Sequence, residues 1–246
     1  MTTDPSIGKA QEQLFAPGKS SREKYAALVV GQTGLWALLK YEIVVTLTQA
    51  CPGAIGLALR KACYPWLLGS CGPNVIFGQN VVLRHPHKIH IGNDVVIDDN
   101  CLIDAKGESN RGIRIGNGVF VGRNSILSCK NGDIELADGA NVGFNCEIFS
   151  ASRVTIGASV LMAAYSYVIG GDHDFSDPGK AVLDQARTSA GVSIGAGVWM
   201  GAGAKILDGV TIGEHAVVGA GSVVREDVAP RAIAVGIPAR VVSTRT

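Results

Sequence analysis

A six-residue period in apolar residues governs the chain from Cys71 onward. It surfaces as IGNDVV-IDDNCL from Ile91, IGNGVF-VGRNSI from Ile115, LADGAN-VGFNCE from Leu136, IGASVL-MAAYSY from Ile156 and VTIGEHAVVGAGSVV near the end. The leading residues of the hexads form triplets: Cys71, Phe77, Leu83; Ile91, Ile97, Ile103; Ile115, Val121, Leu127; Leu136, Val142, Ile148; Ile156, Met162, Val168; Ile194, Met200, Ile206; Ile212, Val218, Val224. All are apolar. The gaps between triplets vary, but the last six leaders run unbroken, and at 47% apolar composition that arises by chance about once in a hundred for a given register.

Six residues are too few for a unit that contains a helix, and suffice for one short strand and one corner, with the leader pointing inward and a small residue where the backbone bends. Four places after the leaders stand Val95, Cys101, Val119, Ser125, Ala140, Cys146, Val160, Ser166, Val198, Ala204, Val210, Ala216 and Ser222, as that geometry requires. Three units close one triangular coil, and about seven coils spaced by ~4.8 Å stack into a prism roughly 30 Å tall. Extra residues between triplets always follow the third turn, so every insertion leaves the prism at one edge. The longest is Ile169 to Gly191. A single elaborated edge marks a binding surface.

Composition narrows the function. With 47% apolar and 17% charged residues the chain is globular, and a net charge of +1 supplies no field to hold nucleic acid. None of the six cysteines forms a C-x-x-C pair, so reduced thiols are expected, with Cys101 and Cys146 as small core fillers. Residues 1–20 read as a flexible tail without a signal peptide's apolar stretch, which leads to an expected cytoplasmic location, at the inner membrane surface if the chain docks there. Residues 21–70 read as an apolar helical region. Its runs Tyr25 to Leu39 and Ile43 to Leu59 are split by Lys40, Glu42 and Pro52-Gly53, so neither gives a spanning helix of ~20 residues. Residues 25–68, with Arg60-Lys61 beside Tyr64 and Trp66, suit peripheral membrane contact or packing on a neighbouring subunit equally, since both need an apolar face. The solenoid is expected over 71–228, with the insertion at 169–191, and a closing segment broken by Pro230, Gly236 and Pro238 over 229–246.

From about Cys71 to Val242 these hexads resemble the hexapeptide-repeat acyltransferases, in particular the galactoside and maltose O-acetyltransferases and those of surface-polysaccharide synthesis. The resemblance implies an all-β fold, a left-handed parallel β-helix, with acetyl-CoA or another acyl-CoA as co-substrate, no metal, and a homotrimer with active sites between subunits. It implies transfer to a hydroxyl of a sugar or glycan precursor. His173 in the long insertion matches the catalytic histidine of those enzymes. An imidazole titrates near neutrality and suits removal of a proton from an attacking hydroxyl, with Asp174 or Asp172 to orient it. Trp199, five places after the leader Ile194, points outward and matches the aromatic beside the acyl-CoA arm. Gly201 and Ala202 follow, and the resemblance makes the Ala202 amide an oxyanion donor. Gly219, Ala220 and Gly221 form a second low ridge for a pantetheine arm, and Arg240 matches a basic residue near the nucleotide. Arg225-Glu226 stand where the galactoside enzymes carry Thr-Lys, which moves that phosphate contact by one place or removes it. The acceptor-contacting Ser, Asn and Asp of those enzymes fall on Cys129, Gly143 and Ala151, so the galactoside acceptor is not carried over. Asn145 is the nearest substitute.

Two other readings compete. His85, His87 and His90 invite comparison with the zinc-binding gamma-class carbonic anhydrases, but they crowd one corner, and His90 points away from the others in an extended chain. A non-catalytic β-helical scaffold is the second, against which His173 and the open Trp199 ridge weigh. No buried cysteine is placed to carry an acyl group, so direct transfer in a ternary complex is expected.

Overall fold

The computed structural model describes Gly18 and residues 20–246, and the tail expected over 1–20 lies outside them except for Gly18 and Ser20. The leaders align one on another in three parallel sheets. Cys71, Ile91, Ile115, Leu136, Ile156, Ile194 and Ile212 stack in the first sheet. Phe77, Ile97, Val121, Val142, Met162, Met200 and Val218 stack in the second. Leu83, Ile103, Leu127, Ile148, Val168, Ile206 and Val224 stack in the third. The result is a parallel β-helix. Every leader except the half-buried Cys71 is buried, as are the small residues four places on.

The corners explain the other half of each hexad. The third residue after each first- and second-sheet leader adopts a left-handed conformation, as at Asn80, Asn100, Asn124 and Asn145, with φ between 55° and 61°. Asn tolerates this region better than other side-chain-bearing residues. Its amide also bonds along the stack: Asn80 Nδ2 donates to Asn100 Oδ1 and Asn124 Nδ2 to Asn145 Oδ1, each at 3.2 Å.

The stack runs to about eight turns, one more than the seven triplets. After Val224 the next inward residue comes four places on, at Val228, which pairs with Ile212. Six further on, Ala234 pairs with Val218 in the second sheet. The strand Ala232–Gly236 then turns back into Ala239–Thr244 as an antiparallel hairpin.

The outer surface of the prism is not uniform. On the first sheet the outward residues are Ser70, His90, Arg114, Glu135, Thr155, Ser193 and Thr211, whereas on the second they are Ile76, Val96, Phe120, Asn141, Leu161, Trp199, Val217 and Ile233.

Three helices cap the first coil: α1 (Ser21–Tyr25), continued by a π-helical turn Ala26–Val30, then α2 (Leu35–Thr48) and α3 (Gly53–Cys63). Ser20 and Glu23 start α1 with reciprocal bonds, so the backbone N–H groups of both residues are satisfied. The cap is latched to the coil by polar side chains. Tyr41 Oη donates to Leu83 O at 2.8 Å, Tyr64 Oη to Val81 O at 2.9 Å, and His85 Nε2 to Ala27 O at 3.0 Å. Arg60, 1% exposed, is the centre of the cap. Its Nε donates to Phe77 O at 3.0 Å, and its Nη1 to Thr48 O at 2.9 Å and Cys51 O at 2.7 Å. The cation thus meets the carbonyl end of α2, where the helix dipole is negative. Gly56 makes room, because a Cβ there would collide with the Cys51 carbonyl.

Candidate active site

The insertion at the edge between third and first sheets is a β-hairpin flap. Asp172–His173 pairs antiparallel with Arg187–Thr188, putting His173 opposite Arg187. Gly170 and Gly171 let the chain leave the coil beside Ala151, where a Cβ on Gly171 would come within 2.7 Å of the Ala151 Cβ. Neither neighbouring carboxylate reaches the imidazole. Asp172 Oδ1 accepts from the His173 backbone N–H at 2.7 Å, and Asp174 Oδ1 accepts from the Ser176 N–H at 2.8 Å. That bond to Ser176 holds the Asp174 carboxyl below the usual carboxylate range. His173 Nδ1 is buried and has no hydrogen-bond partner among the described residues.

Lys130, Phe149, Ser150, Ala151 and Arg187 line a cavity of about 60 Å³ with His173. Ser150 Oγ, like His173 Nδ1, is buried without a hydrogen-bond partner among the described residues. Lys130 Nζ lies 5.4 Å from the centre of the Phe149 ring. Sequence reasoning missed Lys130 and Ser150, yet the register contains them: Lys130, Ala151 and Gly171 each stand three places after a third-sheet leader, so one edge carries all three.

The second group lies on the second sheet and the corner after it. Trp199 is 50% exposed between Leu161 and Val217, at an open groove of about 650 Å³ that Ile233 and Arg245 also line. The corner beyond it leaves one amide free. Gly201 N–H donates to Val218 O and Gly203 N–H to Ala164 O, while the exposed Ala202 N–H has no acceptor among the described residues. In the first three coils a carboxylate takes the equivalent donor, as Asp99 Oδ1 does from Gln79 N at 2.6 Å, whereas Phe144 N–H and Ala164 N–H, like Ala202 N–H, have no acceptor among the described residues. A free, fixed amide is what an oxyanion needs. Ala220 follows one coil on, close enough that a Cβ on Gly201 would lie 2.5 Å from its nitrogen.

Arg225 and Arg240 come together through Glu226, whose Oε1 is 3.7 Å from Arg225 Nε and 3.2 Å from Arg240 Nη1. Arg245, absent from the sequence reading, donates to His215 O at 3.0 Å. Asn145 lies on the corner column of Ala202, two coils earlier, and its residue type is accounted for by its left-handed φ and its bond from Asn124. The structure therefore does not bring Asn145 to the edge that bears His173. One face of the prism separates His173 from the Trp199 and Ala202 group.

The three remaining histidines part company. The His85 and His87 rings stack with centroids 6.2 Å apart, while His90 Nδ1 lies 3.0 Å from Ser70 Oγ on the first sheet. Among the described residues, no three of His, Cys, Asp or Glu are grouped to hold a metal ion. The six thiols are free, and burial pushes that of Cys101 up to about 12.

Comparison with known proteins agrees with this architecture. Residues 191–226 match the model of the bacterial transferase hexapeptide family (six repeats). A dTDP-4-amino-4,6-dideoxy-D-glucose acyltransferase of Escherichia coli is 30% identical over 181 residues, covering 72% of this chain and 82% of the relative. The chain belongs to the hexapeptide-repeat acyltransferases. A probable acetyltransferase of Mycobacterium tuberculosis is 34% identical over 163 residues, covering 66% of this chain, and nodulation protein L of Rhizobium meliloti is 46% identical over 110 residues, covering 44%. Those matches span 54% and 58% of the two relatives, little more than half their lengths. Among solved structures, an N-acyltransferase from Bacillus cereus in complex with dTDP and coenzyme A is 27% identical, with a TM-score of 0.52 over 73% of this chain and 85% of its own.

Proposed function

We propose that the protein transfers an acyl group from acyl-CoA, acetyl-CoA in the first instance, directly to a hydroxyl of a sugar or glycan precursor. What supports this reading is a flap-borne imidazole on one edge of the prism and, on another, an outward amide without an acceptor beside an exposed tryptophan, on a fold whose solved relative binds coenzyme A. His173 removes the acceptor proton as its oxygen attacks the thioester carbon. The Ala202 N–H receives the developing oxyanion, and the imidazolium returns the proton to the departing thiolate. Trp199 and the ridge to Ala220 hold the pantetheine arm, with Arg225, Arg240 and Arg245 toward the phosphates. Positioning the two substrates supplies much of the rate.

Because His173 and the Ala202 group stand on different edges of one prism, the reading needs a neighbouring copy. A homotrimer that covers the apolar outer face of the second sheet would bring the flap of one copy to the ridge of the next. A second reading, transfer to a sugar amine, is favoured by one observation: two relatives are an acyltransferase of a dTDP-amino sugar and an N-acyltransferase.

Purified protein with acetyl-CoA and a panel of sugars and amino sugars, with thiol release followed colorimetrically, tests both. His173→Ala is expected to lower the rate about 100- to 10,000-fold with the melting temperature unchanged. A wild type that binds no coenzyme A, or a variant as active as the wild type, overturns the proposal, and the acceptor that responds decides between oxygen and nitrogen.

A further inference from the structure

The helical cap is built inside out. α3 turns Gly56 and Arg60 toward the coil and presents Ile55, Leu57, Leu59 and Lys61 to the outside. α2 buries Tyr41, Val44 and Thr48, yet its opposite side repeats Leu35, Leu39, Ile43 and Leu47 at every fourth residue, all exposed. Trp36, at 84%, and Trp66, at 66%, are the two most exposed tryptophans of the chain. An apolar stripe over four successive turns on an outer helix face is far more than the scattered exposure normal for a monomer surface.

Charge identifies what fits that face. Apart from Arg60, which is buried against the coil, residues 20–70 hold the cations Arg22, Lys24, Lys40 and Lys61 against two acids, Glu23 and Glu42, although the whole chain carries only +1. Both acids are engaged locally, Glu23 with Ser20 and Glu42 with the Tyr25 hydroxyl at 2.6 Å. Leu35, at the head of the stripe, also lines a cleft of about 820 Å³ whose four cations, Arg22, Lys24, Lys88 and Lys106, outnumber its two acids, Glu23 and Glu108. Apolar and cationic surfaces therefore adjoin.

We infer that the cap docks on an anionic lipid bilayer, with the α2 stripe, Ile55, Leu59 and the two tryptophans in the interface and the lysines of the cleft against headgroup phosphates. α2 alone is too short to cross, with 14 residues, about 21 Å at 1.5 Å each, against a hydrocarbon core of about 30 Å, and the segment before it, Ser21–Val30, is bent from it by 67°. No single described helix is long and apolar enough to cross. Aromatic residues and lysine at the edge of an apolar helix face are the features of an in-plane anchor. A second copy is the poorer occupant, because a two-fold contact through this face would set one cationic cleft beside another. The inference is independent of the acyl-transfer chemistry.

Co-sedimentation of the full chain with vesicles of phosphatidylcholine alone and of phosphatidylcholine mixed with phosphatidylglycerol tests it. Binding is expected to the anionic vesicles and to fall steeply with added salt. The triple substitution Leu39→Ser, Ile43→Ser, Leu47→Ser is expected to weaken it by at least about tenfold, without lowering the melting temperature, since all three side chains are exposed. Lys24→Glu with Lys106→Glu is expected to weaken it on anionic vesicles. Failure of the wild type to sediment with either vesicle, equal binding to both, or unchanged binding of the triple variant overturns the inference. A triple variant that instead loses self-association, with vesicle binding absent throughout, assigns the face to a second copy.

Discussion

The coil stack and the helical cap solve the problem of the interior in opposite ways. In the stack, the inward leaders are apolar, mostly leucine, isoleucine, valine and methionine, six residues apart within each coil, and neighbouring coils satisfy one another's backbone. In the cap, the centre is an arginine, the coil is gripped by tyrosine hydroxyls and a histidine, and leucines face outward. A periodic sheet needs only repetition to satisfy its amides and carbonyls, whereas helix ends against a sheet leave orphan carbonyls that need donors. The cap should accordingly fail by loss of single polar contacts, and the stack by loss of volume.

The sharpest way to break this contrast is Arg60→Ala. It removes a buried cation and strands the carbonyls of Thr48, Cys51 and Phe77, and is expected to destabilise by about 3–5 kcal/mol. Hydrogen exchange should show α2 and α3 unprotected while the sheets keep their protection. Equal loss across both regions would mean that the two fold as one cooperative unit. In the stack, Ile148→Ala is expected to cost about 2–5 kcal/mol through the cavity it leaves. Ile148 is fully buried between Leu127 and Val168, so protection should fall in the third sheet first.

Acid should separate the two regions without mutation. Burial lowers the pKa of His85 to about 4, and its ring, 6% exposed, gives its Nε2 proton to Ala27 O while Nδ1 stays bare. The unfolded chain takes up a proton near pH 6.5 and the folded chain only near 4. Stability contributed by the neutral ring is thus present above 6.5 and lost as pH falls through that window, by up to about 3 kcal/mol. Burial also lowers the His87 pKa, which adds in the same sense. Asp104, in the second coil, has its pKa raised by burial and works the other way. Denaturation at pH 7.5 and at 5 should therefore show the helical signal weakened in acid more than the sheet signal, and His85→Gln should flatten the difference.

Most of the stack was legible because one periodicity decides both burial and register: each leader from Phe77 to Val224 is inward and paired with its expected neighbours. The extra turn was not, because the step from Val224 to Val228 is four residues, and a two-residue deletion hides a repeat whose backbone pairing continues. His173 was legible as the imidazole of the longest insertion. Its surroundings were not. Asp174 is adjacent in sequence but turns to Ser176, while Lys130 and Ser150 reach the flap through stacking of coils some twenty residues apart. Asn145 stands as the nearest substitute for the acceptor-contacting Asn that falls on Gly143, whereas its left-handed corner conformation already accounts for an asparagine there. In the cap, composition gave the helices and left open what their apolar faces meet, because exposure depends on which side Arg60 selects.

The smallest expected effect concerns the flap and the coil beneath it. Ser150 Oγ and His173 Nδ1 are both buried without a partner among the described residues, and the two residues line one cavity of about 60 Å³. That is room for a water, and a water between them would accept from Nδ1–H, leaving Nε2 as the basic nitrogen that general-base chemistry needs. Ser150→Ala removes one anchor of that water. It is expected to lower kcat about tenfold, near 1.4 kcal/mol, and to leave KM and the melting temperature close to wild type, since losing an unpartnered hydroxyl costs little stability. Ser150→Thr, which keeps the hydroxyl, should retain more activity than Ser150→Ala. If both variants keep full kcat and the same pH profile, the imidazole takes its orientation from elsewhere, and the coil stack contributes to the site only a platform.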